Sequence, residues 1–371
     1  MIYNRLVLIL TCIIFTFLVG CEKVEDSLNY KYDAPSLPEL PFRYRPNISA
    51  NYPTLEDFSD EGATLGRVLF YDVRLSANNK MSCSSCHKQA HGFGDNVSKS
   101  VGLEGKLTRR NTPSLDYLFL AQAFFWDSRE DTLEALVTKN NTHNRAMGLV
   151  YSDHLMGELS QASFYPALFE DAFGTEEITQ ERIGRALAMF LRSLETYRSK
   201  ADQAGQVFPD TRIVFTPQEE RGFQLFVDNV NVGCVGCHGG SAIRSTVGAN
   251  IGLEMEYADP GMGRIDREKE GHFRIPSLRN IAVTAPYMHD GRFQTLEEVI
   301  AHYNNGIQPH HALSIKFHNG IILPPGPRPG IESEPKRLNL SEQDQAAIVA
   351  YLRTLTDERF LADIRYSDPF R

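Results

Sequence analysis

Cys83-Ser84-Ser85-Cys86-His87 and Cys234-Val235-Gly236-Cys237-His238 are two copies of one pattern, Cys-x-x-Cys-His, one in each half of the chain. Two thiols at this spacing can add across the vinyl groups of a porphyrin. The residue that follows then places an imidazole beneath the iron. One such pair alone could be half of a zinc site or a redox dithiol. Two copies, in a chain whose only other cysteines are Cys12 and Cys21, point to two covalently bound haem c groups. Cys83, Cys86, Cys234 and Cys237 are the attachment residues of this reading, and His87 and His238 its proximal ligands.

Working outward, each motif follows a similar stretch. Gly66-x-x-Leu69-Phe70-x-Asp72 precedes the first and Gly222-x-x-Leu225-Phe226-x-Asp228 the second, as expected for a duplicated domain in which a helix runs into a haem-binding loop. Ile183, Leu187, Phe190, Leu191 and Leu194 form an apolar stripe at helical spacing within 179–197. Thr216-Pro217-Gln218-Glu219 and Thr295-Leu296-Glu297-Glu298 are capping boxes. Leu296, Val299, Ile300 and Tyr303 then share one face, and Ser341 opens a last helix with Ile348, Tyr351, Leu352 and Leu355 inside. No strand pattern of useful length competes. The expected fold is mainly α, with two cytochrome c-like haem domains and long loops.

The N-terminus reads differently. Arg5 precedes an apolar run, Leu6 to Val19, that is too short to span a bilayer comfortably and suits a signal-peptide core. It ends Leu18-Val19-Gly20-Cys21, which resembles the bacterial lipoprotein cleavage box, with acylation at Cys21 as the implied membrane anchor. Pro35, Pro38, Pro41, Pro46 and Pro53 follow without a helical period. The chain thus divides into a leader (1–20), a tether (21–55), an N-terminal haem domain (56–205) and a C-terminal one (206–371), exported to the periplasm or cell envelope. With 42% hydrophobic and 23% charged residues the composition is that of a soluble globular protein. A net charge of −9 with no basic run excludes nucleic acid as a partner and leaves room for a small basic electron carrier.

Spacing alone leaves the second axial ligands open among His91, His143, His289, His302, Tyr303, His310 and the methionines. Further motifs narrow the choice: Arg110-Asn111-Thr112-Pro113-Ser114-Leu115, Phe125-Trp126-Asp127-Ser128-Arg129, Pro276-Ser277-Leu278-Arg279-Asn280 and Ala285-Pro286-Tyr287-Met288-His289-Asp290-Gly291. On these the chain resembles the bacterial di-haem cytochrome c peroxidase family, which includes the MauG enzymes, from about residue 56 onward. The resemblance implies a peroxide site at the N-terminal haem and an electron-transfer or charge-storing site at the C-terminal one. The chain's single tryptophan, Trp126, is the implied relay between them. A calcium ion is implied too, held by the Asn111 side chain and the carbonyls of Thr284 and Pro286.

Four departures bear on the reaction. Tyr303 stands where cytochrome-donor peroxidases place a distal methionine and MauG a tyrosine, so phenolate ligation of the C-terminal haem is implied, with His302 as the neighbouring substitute. The family's distal glutamine, proline and acid/base glutamate fall at Leu136, Asn140 and Ala146; His143 and Arg145 are the nearby replacements, as proton shuttle and charge stabiliser. Leu103 occupies the family's distal-histidine position, which leaves the first haem five-coordinate or water-bound. Val232 replaces the tryptophan through which MauG draws electrons from a protein substrate. The expected activity is reduction of hydrogen peroxide with electrons from a small cytochrome c or cupredoxin. The alternatives are a MauG-like oxidase of a protein substrate and a non-enzymatic di-haem electron carrier.

Overall fold

The computed structural model describes residues 58–116, 118, 121, 123–139, 145–206, 213–239, 248–319 and 334–370. The leader, tether, Cys21, Asn140 and His143 lie outside the described residues. Among the described residues there are helices and isolated β-bridges but no strands, as the sequence leads one to expect.

The first half opens with α1 (Asp60–Tyr71), whose cap Ser59 accepts the Gly62 N–H. Short helices α2 (Leu133–Lys139), α3 (Asp153–Gln161) and α4 (Tyr165–Phe173) lead to α5 (Gln180–Ser193). Thr179 caps α5, and Ile183, Leu187, Phe190 and Leu191 are buried on one side, matching the stripe in the sequence. In the second half, the Thr216 capping box starts α6 (Pro217–Val227), the second haem motif is itself a short helix, α7 (Cys234–His238), and the Thr295 box starts α8 (Leu296–Ala301). The first motif is tighter, a 3-10 turn over Cys83–Ser85. Ser341 caps α9 (Glu342–Arg353), which is followed by a short α10 (Glu358–Ala362) that the sequence periodicity did not signal.

The internal repeat has a structural cause. A Cβ on Gly66 would lie 2.0 Å from the Ala186 carbonyl oxygen of α5, and one on Gly222 would lie 1.9 Å from the Ala347 carbonyl of α9. Each half is thus organised on a helix crossing so close that only glycine fits. Leu69 and Phe70, or Leu225 and Phe226, turn into the adjoining core. We expect Gly66→Ala or Gly222→Ala to destabilise the protein by about 3 kcal/mol or more, the upper end for overpacking, because backbone must move. Thermal unfolding of each variant measures this; a melting temperature within a degree or so of wild type would mean that the crossings are looser than drawn.

Polar ties join the halves. Arg110 forks onto Asp259 at 2.6 and 2.8 Å, and Arg279 onto Asp202 at 2.8 and 2.9 Å. Buried Asn280 donates to Asp116 and accepts the Asp357 N–H. Beyond α9 the chain leaves the second half and packs on the first. Phe360 and Tyr366 join the first core, Tyr366 Oη donates to the Ser193 carbonyl, and buried Arg67 donates to the Ser367 carbonyl at 2.6 Å.

Candidate functional site

The second motif faces a cavity of about 410 Å³, within the range that holds large organic cofactors. Its walls include Cys234, Cys237 and His238 on one side, and Tyr303, Ile300 and Leu352 from α8, α9 and the turn between them. His238 is oriented by a bond from Nδ1 to the Pro276 carbonyl, 3.2 Å. A carbonyl can only accept, so Nδ1 carries the proton and Nε2 keeps its lone pair. Burial pulls the His238 pKa down to about 4, so the ring is neutral at physiological pH, the form that ligates metal.

The first motif repeats the device. His87 Nδ1 bonds the Phe93 carbonyl at 2.7 Å, and burial again lowers its pKa. None of the four motif cysteines is in a disulfide. Burial raises the thiols, Cys83 to about 12 and Cys234 to about 11. Neutral, half-buried thiols beside an oriented imidazole and an apolar cavity are what covalent haem requires, and the donor set fits that group.

Tyr303 lines the cavity that His238 faces, but not from a regular helix as its spacing predicts. Helix α8 ends at Ala301, and Tyr303 lies in a π-turn, His302–Gly306. Such turns rotate side chains off the helical register and recur at functional sites. His302 is consequently directed elsewhere: its Nε2 bonds the Ile251 carbonyl at 3.0 Å and it is not part of the cavity wall. It is not placed to substitute for Tyr303. His310 is likewise engaged, its Nδ1 accepting from Ala312 N and meeting Asn250 Nδ2. His91 bonds the Val283 carbonyl at 3.3 Å.

Trp126 comes from the first half yet lines the second cavity. It is pinned at both ends: Nε1 donates to the Asn111 carbonyl at 2.9 Å, and its own carbonyl accepts the Arg274 N–H at 2.7 Å. Asn111, Thr284 and Pro286 line the same cavity. Asn111 Nδ2 is used on Val97, while its Oδ1 and the carbonyls of Thr284 and Pro286 accept no hydrogen bond among the described residues. Three unspent hard oxygens there are a donor set suited to calcium.

Around the first motif the replacements are less concentrated. Leu103 donates its backbone N–H to Ala146 and packs against Gly148, and Leu136 packs on the first core. Arg145 is exposed and donates to the Leu107 carbonyl at 3.2 Å. Two further polar residues line the second cavity, each with a buried nitrogen that has no partner: His289, one of the axial-ligand candidates of the sequence, and Arg274, which the sequence did not single out.

With this geometry in view, similarity to known proteins is informative. Residues 60–207 match the family model for di-haem cytochrome c peroxidase, and residues 219–356 that for cytochrome c. The methylamine utilization protein MauG of Methylorubrum extorquens is 30% identical over 87% of this chain and 86% of its own. The chain belongs to the di-haem cytochrome c peroxidase and MauG family. The cytochrome c551 peroxidase of Nitrosomonas europaea is 33% identical over 64% of the chain and 71% of its own length. A solved MauG-like protein associated with microbial copper homeostasis is 31% identical, with a TM-score of 0.74, covering 90% of this chain and 99% of that one. As a member of this family the chain is a haem c oxidoreductase of the cytochrome c peroxidase type. Among the described residues no helix is long and apolar enough to cross a membrane.

Proposed function

We propose that this peroxidase-family chain reduces hydrogen peroxide at its N-terminal haem site (domain 56–205). Its electrons come from a small cytochrome c or cupredoxin by way of the C-terminal site (domain 206–371). The observation that carries this is Trp126: a first-half residue built into the wall of the second cavity and fixed at both ends. Haem, when bound, would supply redox chemistry at iron. The chain's residues do the rest. Cys83, Cys86, Cys234 and Cys237 would anchor the two groups, and His87 and His238, held by the Phe93 and Pro276 carbonyls, would ligate them. Asn111, Thr284 and Pro286 hold calcium beside Trp126. His143 and Arg145 are the candidates for proton shuttling and charge stabilisation at the peroxide site. The leader ending at Cys21 supports export and lipid anchoring in the periplasm or cell envelope, where such a donor would reach the protein.

Tyr303 favours a second reading, MauG-like oxidation of a protein substrate, because a phenolate ligand stabilises higher oxidation states of the C-terminal iron. Val232, which lines the cavity where MauG has a tryptophan, weighs against transfer through that surface.

The test is to mix diferric protein with peroxide, with and without a reduced small cytochrome, and follow the haem spectrum and turnover. We expect a high-spin ferric resonance from the N-terminal haem before peroxide, because Leu103 offers no ligand. Turnover should follow, but about 10²–10⁴-fold slower than in a site with an acid/base carboxylate, because Leu136 and Ala146 carry no proton. Two low-spin haems, no spectral change and no turnover would leave the electron-carrier reading.

A further inference from the structure

We propose that Arg274 and His289 form a carboxylate-binding subsite in the wall of the second cavity and hold the propionates of its haem. This rests on haem c being attached at Cys234 and Cys237.

The case begins with charge. The arginines that bind the halves or brace this region are paired: Arg110 with Asp259 and Asp127, Arg279 with Asp202, Arg292 with Asp290. Arg274 is not. Its Nε is buried with no hydrogen-bond partner, and no carboxylate forms an ion pair with it among the described residues. Asp116 is near enough to be felt, but its oxygens are taken by Asn280 and Ser114, and burial raises its pKa to about 7. An unpaired guanidinium in a largely apolar cavity is costly unless an anion arrives to meet it. Arginine's planar fork is matched to a carboxylate.

His289 is the second donor. It is 5% exposed, its Nδ1 is buried without a partner, and it lines the cavity with Arg274. Its ring stacks on Phe273 at 3.7 Å and 10°, and Phe273 precedes Arg274 in the chain, so one short segment carries both the guanidinium and the stacking surface that fixes the imidazole. A guanidinium nitrogen and an imidazole nitrogen left without partners in one cavity match a ligand that brings two carboxylates. Lys316 and Lys336 also line the cavity. Lys316, however, is exposed and lies beside Gly236 of the motif, where water solvates it and no anion is needed.

The placement has a direct corollary. The Arg274 backbone N–H is bonded to the Trp126 carbonyl, so the subsite belongs to the segment that holds Trp126, while Lys316 lies beside Gly236 of the attachment motif. Arg274 and His289 would therefore act as positioning residues for the haem and set the charge beside it.

The experiment uses the full-length holoprotein and three variants: Arg274→Gln, Arg274→Lys and His289→Phe. Haem retention is read by mass, the propionate bending band by resonance Raman, and the C-terminal midpoint potential by titration. We expect Arg274→Gln to shift the band and lower the potential of that haem alone, since loss of a cation favours the ferric state. Arg274→Lys keeps the charge, so it shifts the band while leaving the potential near wild type. His289→Phe keeps the stack and shifts the band only. Unchanged band and potential in Arg274→Gln, with both haems retained, would overturn the subsite while leaving the haem assignment intact. If Arg274→Gln does not fold, an unchanged band in Arg274→Lys overturns it equally. Wild-type protein without haem at Cys234 and Cys237 would remove the underlying assignment, and the subsite with it.

Discussion

Purified protein is expected to keep two haems through denaturation and acid–solvent extraction, and replacing both cysteines of either motif by alanine should remove one of them. The effect is all-or-none at each site because attachment is covalent: with both thiols gone, only coordination by His87 or His238 and burial remain. The consequences should differ between the halves. Cys83 packs on the first core, with its sulfur 4.0 Å from Met147 Sδ, so loss there opens a gap in a large hydrophobic cluster. The second cavity is already about 410 Å³ and is braced by only a small cluster around α6, α8 and α9. Loss of its haem should therefore lower thermal stability more, since that group supplies much of the apolar surface its walls bury. Mass of the denatured protein and a thermal melt read both claims. Complete stripping of wild-type haem by acid and solvent would sink the assignment of all four cysteines.

The second large effect concerns Tyr303. If its phenolate ligates the C-terminal haem, that haem should resist reduction, because an anionic oxygen favours the ferric state over the ferrous. Tyr303→Met should raise its potential and move the protein towards cytochrome-donor behaviour. Tyr303→Phe should give an open or water-bound site, with no histidine recruited, because His302 is committed to the Ile251 carbonyl and points away from the cavity. Burial raises the Tyr303 pKa well above that of a free phenol, so the phenolate requires the iron's charge beside it. Redox titration of wild type and both variants, with spectra at each step, decides the matter. Identical potentials and spectra would make Tyr303 a packing residue and take the main support from the MauG-like reading.

What could be read from the sequence follows from how local each signal is. The caps at Thr216, Thr295 and Ser341 lie where the motifs put them, because capping is decided within four residues. The glycine repeat was visible as a pattern, but its cause, a carbonyl about 2 Å from a hypothetical Cβ, needs the facing helix. The π-turn under Tyr303 was not legible: periodicity extrapolated the helix through it and wrongly made His302 a neighbouring candidate. Arg274 and His289 carry no sequence mark as a pair, since what distinguishes them is a missing partner in space. The family motifs directed attention to Trp126, Asn111, Thr284 and Pro286, and the folded chain brings these four to one cavity wall.

The return of the C-terminal segment to the first half has a kinetic meaning. Arg67 and Ser367 are 300 positions apart, and Tyr71 and Tyr366 are 295 apart, yet both pairs are bonded in the core around the first motif. Closing so long a loop is slow and entropically unfavourable. The half that is synthesised first is thus completed by a segment made after the second half, since Phe360 and Tyr366 belong to its core. A chain cut after α9 would leave the first core without Phe360 and Tyr366, and Arg67 without its Ser367 partner.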